Sequence, residues 1–77
     1  MSTPKIEILK ANCTLLYTDN YTILYSYNTP VACLDVKNKT YYRTNEYYSV
    51  TTGKHINQWL NGKVAITASQ DFFDNLS

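Results

Sequence analysis

An α+β fold is what this sequence predicts: a small antiparallel β-meander of three to four strands, with a helix from the C-terminal half packed on one face. Three observations predict it. Residues 13–44 fall into short runs rich in Tyr, Thr, Val, Ile and Leu, separated by turn residues such as Asp19-Asn20 and Lys37-Asn38-Lys39. Runs of that length and composition, bounded in that way, read as successive strands. Residues 50–61 then change period, with Ile56, Trp59 and Leu60 at i, i+3 and i+4, which is helical spacing. Strands that precede helices, rather than alternating with them, belong to the α+β class. At 77 residues the chain is read as one domain, 1–77.

The elements follow in order. KIEIL (5–9) alternates and is a candidate edge strand, and CTLLYT (13–18) is the first strand of the meander. Asp19-Asn20 is a two-residue turn signal. In YTILYSY (21–27), Tyr21, Ile23, Tyr25 and Tyr27 share one face, with Thr22, Leu24 and Ser26 on the other. Asn28-Thr29-Pro30 breaks the run, because Pro30 has no N–H to give a ladder. VACLDV (31–36) and TYYRT (40–44) are the next strands, joined by Lys37-Asn38-Lys39. Thr44-Asn45-Glu46 turns the chain toward the helix. Ser49 or Thr51 caps its start by accepting a backbone N–H bond. Gly62 closes it in the left-handed conformation that glycine adopts most easily. Gly53, in the first turn, is a weak helix former or a point of close backbone approach. KVAIT (63–67) is one more candidate strand. Ser69 is placed to cap a last helical turn that buries Phe72, Phe73 and Leu76 on one side.

So short a chain buries a modest core. Eight Tyr, two Phe and one Trp supply large buried area for its length. Cys13 and Cys33 lie inside apolar runs and read as free core thiols, which fits a reducing compartment. MSTPKIEILK lacks the apolar core of a signal peptide, and no apolar run is long enough to span a bilayer. The expectation is a cytoplasmic protein with no membrane association.

The net charge of +1 excludes nothing, but its distribution is uneven. Lys37, Lys39, Arg43, Lys54 and Lys63 against Glu46 leave residues 37–63 at +4, whereas Asp71 and Asp74 leave residues 64–77 at −2.

Few residues assemble into chemistry. Cys13, Cys33 and His55 never stand at metal-ligand spacing, and no cofactor is expected. There is no nucleophile elbow and no Gly-rich phosphate loop. The carboxylates fall in turns and helix starts, where solvation explains them. The positive feature is a polar stripe on the helix. Lys54, Asn57, Gln58 and Asn61 share one face. His55 is expected at its flank, dispensable for the fold, and Arg43 and Lys63 add charge nearby. Lys, Asn and Gln can hydrogen-bond base edges or phosphates, although a pI near 7.7 is low for a nucleic-acid-binding domain. A plain solvated helix face is the alternative. The pairs Tyr41-Tyr42 and Tyr47-Tyr48 put one Tyr on each face of the sheet, and exposed Tyr is enriched in protein contacts.

Two strings, SYNTPVA (26–32) and YSVTTGKHINQWL (48–60), resemble a family of short uncharacterised proteins of bacteriophages and related mobile elements. The resemblance implies a viral accessory protein and brings no catalytic residue. The expected function is therefore non-enzymatic: a small phage accessory protein that binds a host or viral protein in the host cytoplasm. The partner-binding residues are Lys54, His55, Asn57, Gln58, Asn61, Arg43 and Lys63. Nucleic-acid binding through the polar face of helix 50–61 is the alternative, and an enzyme using His55 is third. Self-association is a further expectation, since a second copy would enlarge so small a core.

Overall fold

The computed structural model describes residues 5–10, 12–46 and 48–76. Among them six strands form one sheet: β1 (Lys5–Lys10), β2 (Cys13–Tyr17), β3 (Tyr21–Ser26), β4 (Thr29–Asp35), β5 (Thr40–Thr44) and β6 (Ala65–Ala68). Their spatial order is their chain order. Helix α1 (Val50–Leu60) connects β5 to β6, and the short α2 (Gln70–Asp74) follows β6. The fold is α+β, with more strands than the three to four expected. Both candidate end strands pair. Strands β1 to β5 are antiparallel neighbours, but β5 and β6 are parallel, so the sheet is mixed. Parallel neighbours need a crossover, and α1 supplies it. Among the described residues no helix is long and apolar enough to cross a membrane.

Turn chemistry sets the hairpins. The Thr18 hydroxyl accepts from the Tyr21 N–H at 3.0 Å and closes the turn over Asp19-Asn20. Tyr27 and Asn28 both have positive φ, 52° and 69°, as a two-residue hairpin turn of matching twist requires. β4 therefore starts at Thr29, and Pro30 lies inside it, which corrects the break expected there. Pairing shifts so that Leu24 faces Ala32 while Tyr25 faces Pro30, leaving Val31 as the extra residue of a bulge. A bulge is where a strand tolerates proline. Asp35 holds the next turn, accepting from the Asn38 N–H at 3.2 Å and the Asn38 amide at 2.9 Å. Those two bonds hold its carboxyl below the usual carboxylate range.

α1 is locally encoded. Ser49 is its N-cap and accepts from the Thr52 N–H at 3.1 Å. Its left-handed close begins one residue before Gly62, on Asn61 (φ 51°), with Gly62 following at φ 85°. Asn is the other residue type that enters this region readily. A Cβ on Gly53 would meet nothing within 4 Å, so that glycine marks no close approach.

The core has two clusters, because the sheet is covered on both faces. Cys13, Leu15, Leu24, Val31 and Ala32 gather with Ile56 and Leu60 of α1. Ile23 and Cys33 gather with Phe73 of α2, flanked by Leu16, Tyr21, Tyr25, Tyr42, Phe72 and Leu76. Neighbours in sequence go to opposite clusters: Ile23 and Leu24, Ala32 and Cys33, all fully buried. A strand apolar at consecutive positions needs cover on both sides. That is why the single covered face expected from the sequence gives way to two. The two thiols are buried, one in each cluster, and are not joined as a disulfide.

Candidate functional site

The buried stripe of α1 runs Thr52, His55, Ile56 and Leu60. Its opposite side presents Lys54, Asn57, Gln58 and Asn61, all exposed. Arg43 sits on β5 directly across from Ala32, hence on the α1 face of the sheet. Its Nη1 donates to Asn57 Oδ1 at 3.4 Å, tying the strand to the helix stripe. Two positions before Arg43, Tyr41 lies on the same face. Trp59 meets it edge-on, with ring centroids 5.5 Å apart at 67°, a favoured arrangement of ring quadrupoles. Exposed Lys63 completes the group, its Nζ 5.9 Å from the centre of the Tyr41 ring. Both rings are half-buried, packed against the α1-face cluster without entering it. The result is one strip: the polar stripe of α1 beside a Tyr41–Trp59 pair, with Arg43 and Lys63 close by.

His55 does not belong to that strip. It is only 5% exposed, and its Nδ1 lies 3.0 Å from the Ser26 hydroxyl. Ser26 in turn meets the Thr52 hydroxyl at 3.0 Å, and Ser49 donates to Thr52 at 3.2 Å. Tyr27 lies over the imidazole, with centroids 6.2 Å apart. The flank position expected from the sequence is therefore corrected to an interior one. The apolar stripe predicted from the sequence starts at Ile56. Extended one turn back at the same spacing it takes in His55 and Thr52. A Ser–His contact at 3.0 Å has the distance of a nucleophile and its base. Here both groups are buried, Ser26 at 2% exposure, and the linked hydroxyls complete their hydrogen bonds. The arrangement is that of a satisfied polar core.

Sequence reasoning missed Gln70. Its Oε1 accepts from Thr44 at 3.0 Å and from the Tyr48 hydroxyl at 2.6 Å, while its Nε2 donates to the Pro30 carbonyl at 2.7 Å. One side chain thus joins α2 to β4, β5 and the approach to α1. Tyr42 packs against Phe72, with centroids 5.1 Å apart, so helices engage both members of the Tyr41-Tyr42 pair. Of the second pair, Tyr48 is exposed and Tyr47 lies outside the described residues. An open cleft of about 300 Å³ lies elsewhere, lined by Ile6, Thr14, Leu16, Tyr25 and Asn28. Among the described residues no three of His, Cys, Asp and Glu gather as metal ligands would.

Comparison with known proteins assigns the chain to a family. The model of a family of unknown function, DUF8033, covers residues 2–75, and the chain belongs to that family. No curated protein and no solved structure matches it.

Proposed function

We propose that this chain is a small non-enzymatic binding protein that engages a protein partner through the outer face of α1 and the Tyr41–Trp59 pair beside it. The observation that carries the proposal is the strip itself. Half-exposed aromatic rings next to an Arg, bordered by uncharged amides, have the composition of a protein interface, in which aromatics and Arg are enriched and Lys is confined to the rim. A phosphate-binding surface would want its cations free to meet the backbone of a nucleic acid. Here two of the strip's three cations are engaged, Arg43 with Asn57 and Lys63 with the Tyr41 ring. The strings SYNTPVA and YSVTTGKHINQWL extend the proposal to a phage accessory protein acting on a host or viral protein in the host cytoplasm.

The test is the double substitution Lys54→Glu with Asn57→Glu. Both residues are exposed, so stability should change by no more than about 0.5 kcal/mol. Capture of the partner from host lysate should fall sharply. With the purified partner, affinity should depend mildly on salt, and the loss should appear in the off-rate. A steep salt dependence that becomes shallower in the variant would replace the protein partner with a nucleic acid. Undiminished binding by a folded variant would reduce this face to solvated helix.

A further inference from the structure

The largest exposed aliphatic side chains on any one strand are on β1, where Ile6 is 66% and Ile8 76% exposed. Among the described residues β1 is also an outer strand of the sheet, paired with β2. Hydrogen-bond alternation fixes which of its residues face outward. The Thr18 N–H donates to the Tyr21 carbonyl and the Tyr27 N–H to the Asn12 carbonyl, at 2.8 and 3.0 Å. Both bonds extend the register that pairs Thr14 with Tyr25 and Leu16 with Ile23. Bonded and non-bonded pairs alternate along an antiparallel ladder. Thr14 and Leu16 therefore bond toward β3, and Leu15 and Tyr17 bond toward β1, where they pair with Glu7 and Lys5. Lys5 and Glu7 turn their backbone groups inward to β2. Ile6 and Ile8 turn theirs to the open edge.

We infer that β1 is the pairing edge for a second copy of this chain, two β1 strands meeting antiparallel about a twofold axis at Ile6 so that the two sheets join into one. A twofold axis normal to the sheet leaves each residue on its own face, so only residues of the same face can stand opposite. Within Ile6–Ile8 three centres satisfy this. Centred on Ile6, the axis sets Ile6 against its own copy on the α2 face. On the α1 face it sets Lys5 against Glu7 of the second copy, twice. Centred on Glu7, it sets two carboxylates directly opposite, which destabilises a pair. Centred on Ile8, it sets Ile6 against Lys10 and runs across the irregularity between Ile8 and Lys10. Charge selects the first. Glu7 is already held in place, because the Tyr17 hydroxyl donates to its carboxylate at 2.6 Å. The other outer strand, β6, reads AITA and carries no charge to choose a register. Outer strands that stay solitary are usually blunted by charge, proline or a bulge. β1 carries Lys5, Glu7 and Lys10 and an irregularity after Ile8, but about Ile6 the charges of Lys5 and Glu7 find their complements in a second copy.

Sedimentation equilibrium of the full chain tests this, over concentrations up to about 1 mM, the weak end of specific association. The parent should follow a monomer–dimer equilibrium. Ile6→Pro should stay folded, since it removes an outward N–H and no bond to β2, and should sediment as monomer. Glu7→Lys should weaken the dimer about tenfold or more by setting lysines opposite each other. Lys5→Glu combined with Glu7→Lys should restore it, because the swapped charges are again complementary. A parent that stays monomeric throughout overturns the inference. So does a folded Ile6→Pro chain that dimerises like the parent, or a double swap that fails to recover the dimer. Growth beyond the dimer would point instead to head-to-tail pairing of β1 with β6, which does not close.

Discussion

Under α1 the sheet buries a polar interior, with Ser26, Thr52 and His55 linked beside Cys13, Leu24 and Ile56. Under α2 the buried cluster is Ile23, Cys33 and Phe73, and the polar work is done at its margin by Gln70. The helices differ in the same sense. α1 has eleven residues, a side-chain cap from Ser49 and a left-handed close at Asn61. α2 has five residues, and its N-cap Ser69 makes no side-chain cap bond. A helix of one turn is not stable by propensity. α1 is written into its own segment, whereas α2 exists because Phe73 and Gln70 fasten it to β4 and β5. A local change should loosen α1, and a change in the sheet contacts should release α2.

Phe73→Ala gives the largest effect that separates the two. Phe73 is fully buried, so the substitution should cost about 3–5 kcal/mol. Against a small domain's total of about 5 kcal/mol or more, thermal melts should show partial or complete loss of the folded state. A melt near that of the parent would mean that α2 is ornamental. Next come the two polar centres. Gln70→Ala leaves the Pro30 carbonyl, Thr44 and Tyr48 without their shared partner, and should cost about 2 kcal/mol. His55→Ala opens a cavity beside Ser26 and should cost about as much. At the surface flank predicted by the sequence, the same substitution would be neutral. Hydrogen exchange distinguishes them: Gln70→Ala should deprotect α2 and β6, and His55→Ala should deprotect α1. Protection lost equally on both faces in either variant would erase the distinction.

A smaller contrast lies in the caps. Ser49→Ala should cost about 1 kcal/mol by removing the Thr52 N–H acceptor. Ser69→Ala should change the melting temperature by almost nothing. Equal shifts would show that neither helix depends on its cap. The last effect belongs to alkaline pH and concerns Cys33. Burial, with Asp35 adding to it, pushes its thiol up to about 12 from the ordinary 9.0. The thiol of the unfolded chain ionises first as pH rises, so the stability it contributes is complete below pH 9.0 and is lost toward pH 12. Alkaline denaturation of Cys33→Ala should therefore be shallower than that of the parent. Identical slopes would remove Cys33 as a cause.

These contrasts explain what was legible in the sequence. α1 was legible because its cap, period and closing residues are all local. The strands were legible because Asp19-Asn20 and Lys37-Asn38-Lys39 punctuate them. The second covered face was signalled only by consecutive apolar residues in β3 and β4, a pattern that periodicity cannot separate from a one-sided strand with exceptions. Pro30 misled because a bulge depends on the partner strand. The exposed stripe of Lys54, Asn57, Gln58 and Asn61 follows from helical period. The Arg43–Asn57 bond and the Lys63–Tyr41–Trp59 group do not, because they bring together residues whose proximity only the β5–α1–β6 crossover creates. Gln70 was invisible for the same reason: Pro30, Thr44 and Tyr48, which it joins, lie on segments far from it in sequence.

The order of the strands has a consequence in time. Because spatial order repeats chain order, β1 through β5 can zip as successive hairpins, each closing a loop of a few residues. Only the β5–β6 pair must wait for a whole helix to be traversed before its ends meet. The sheet thus assembles early across four of its seams and last at the fifth, after the rate-limiting step. Substitutions such as Ala68→Gly at that last seam should accelerate unfolding while leaving the folding rate almost untouched. Until the last seam closes, α2 has no β6 to follow, and the face carrying Cys33 and Ile23 stays open to solvent. In this chain the final step of folding is also the step that hides its second core.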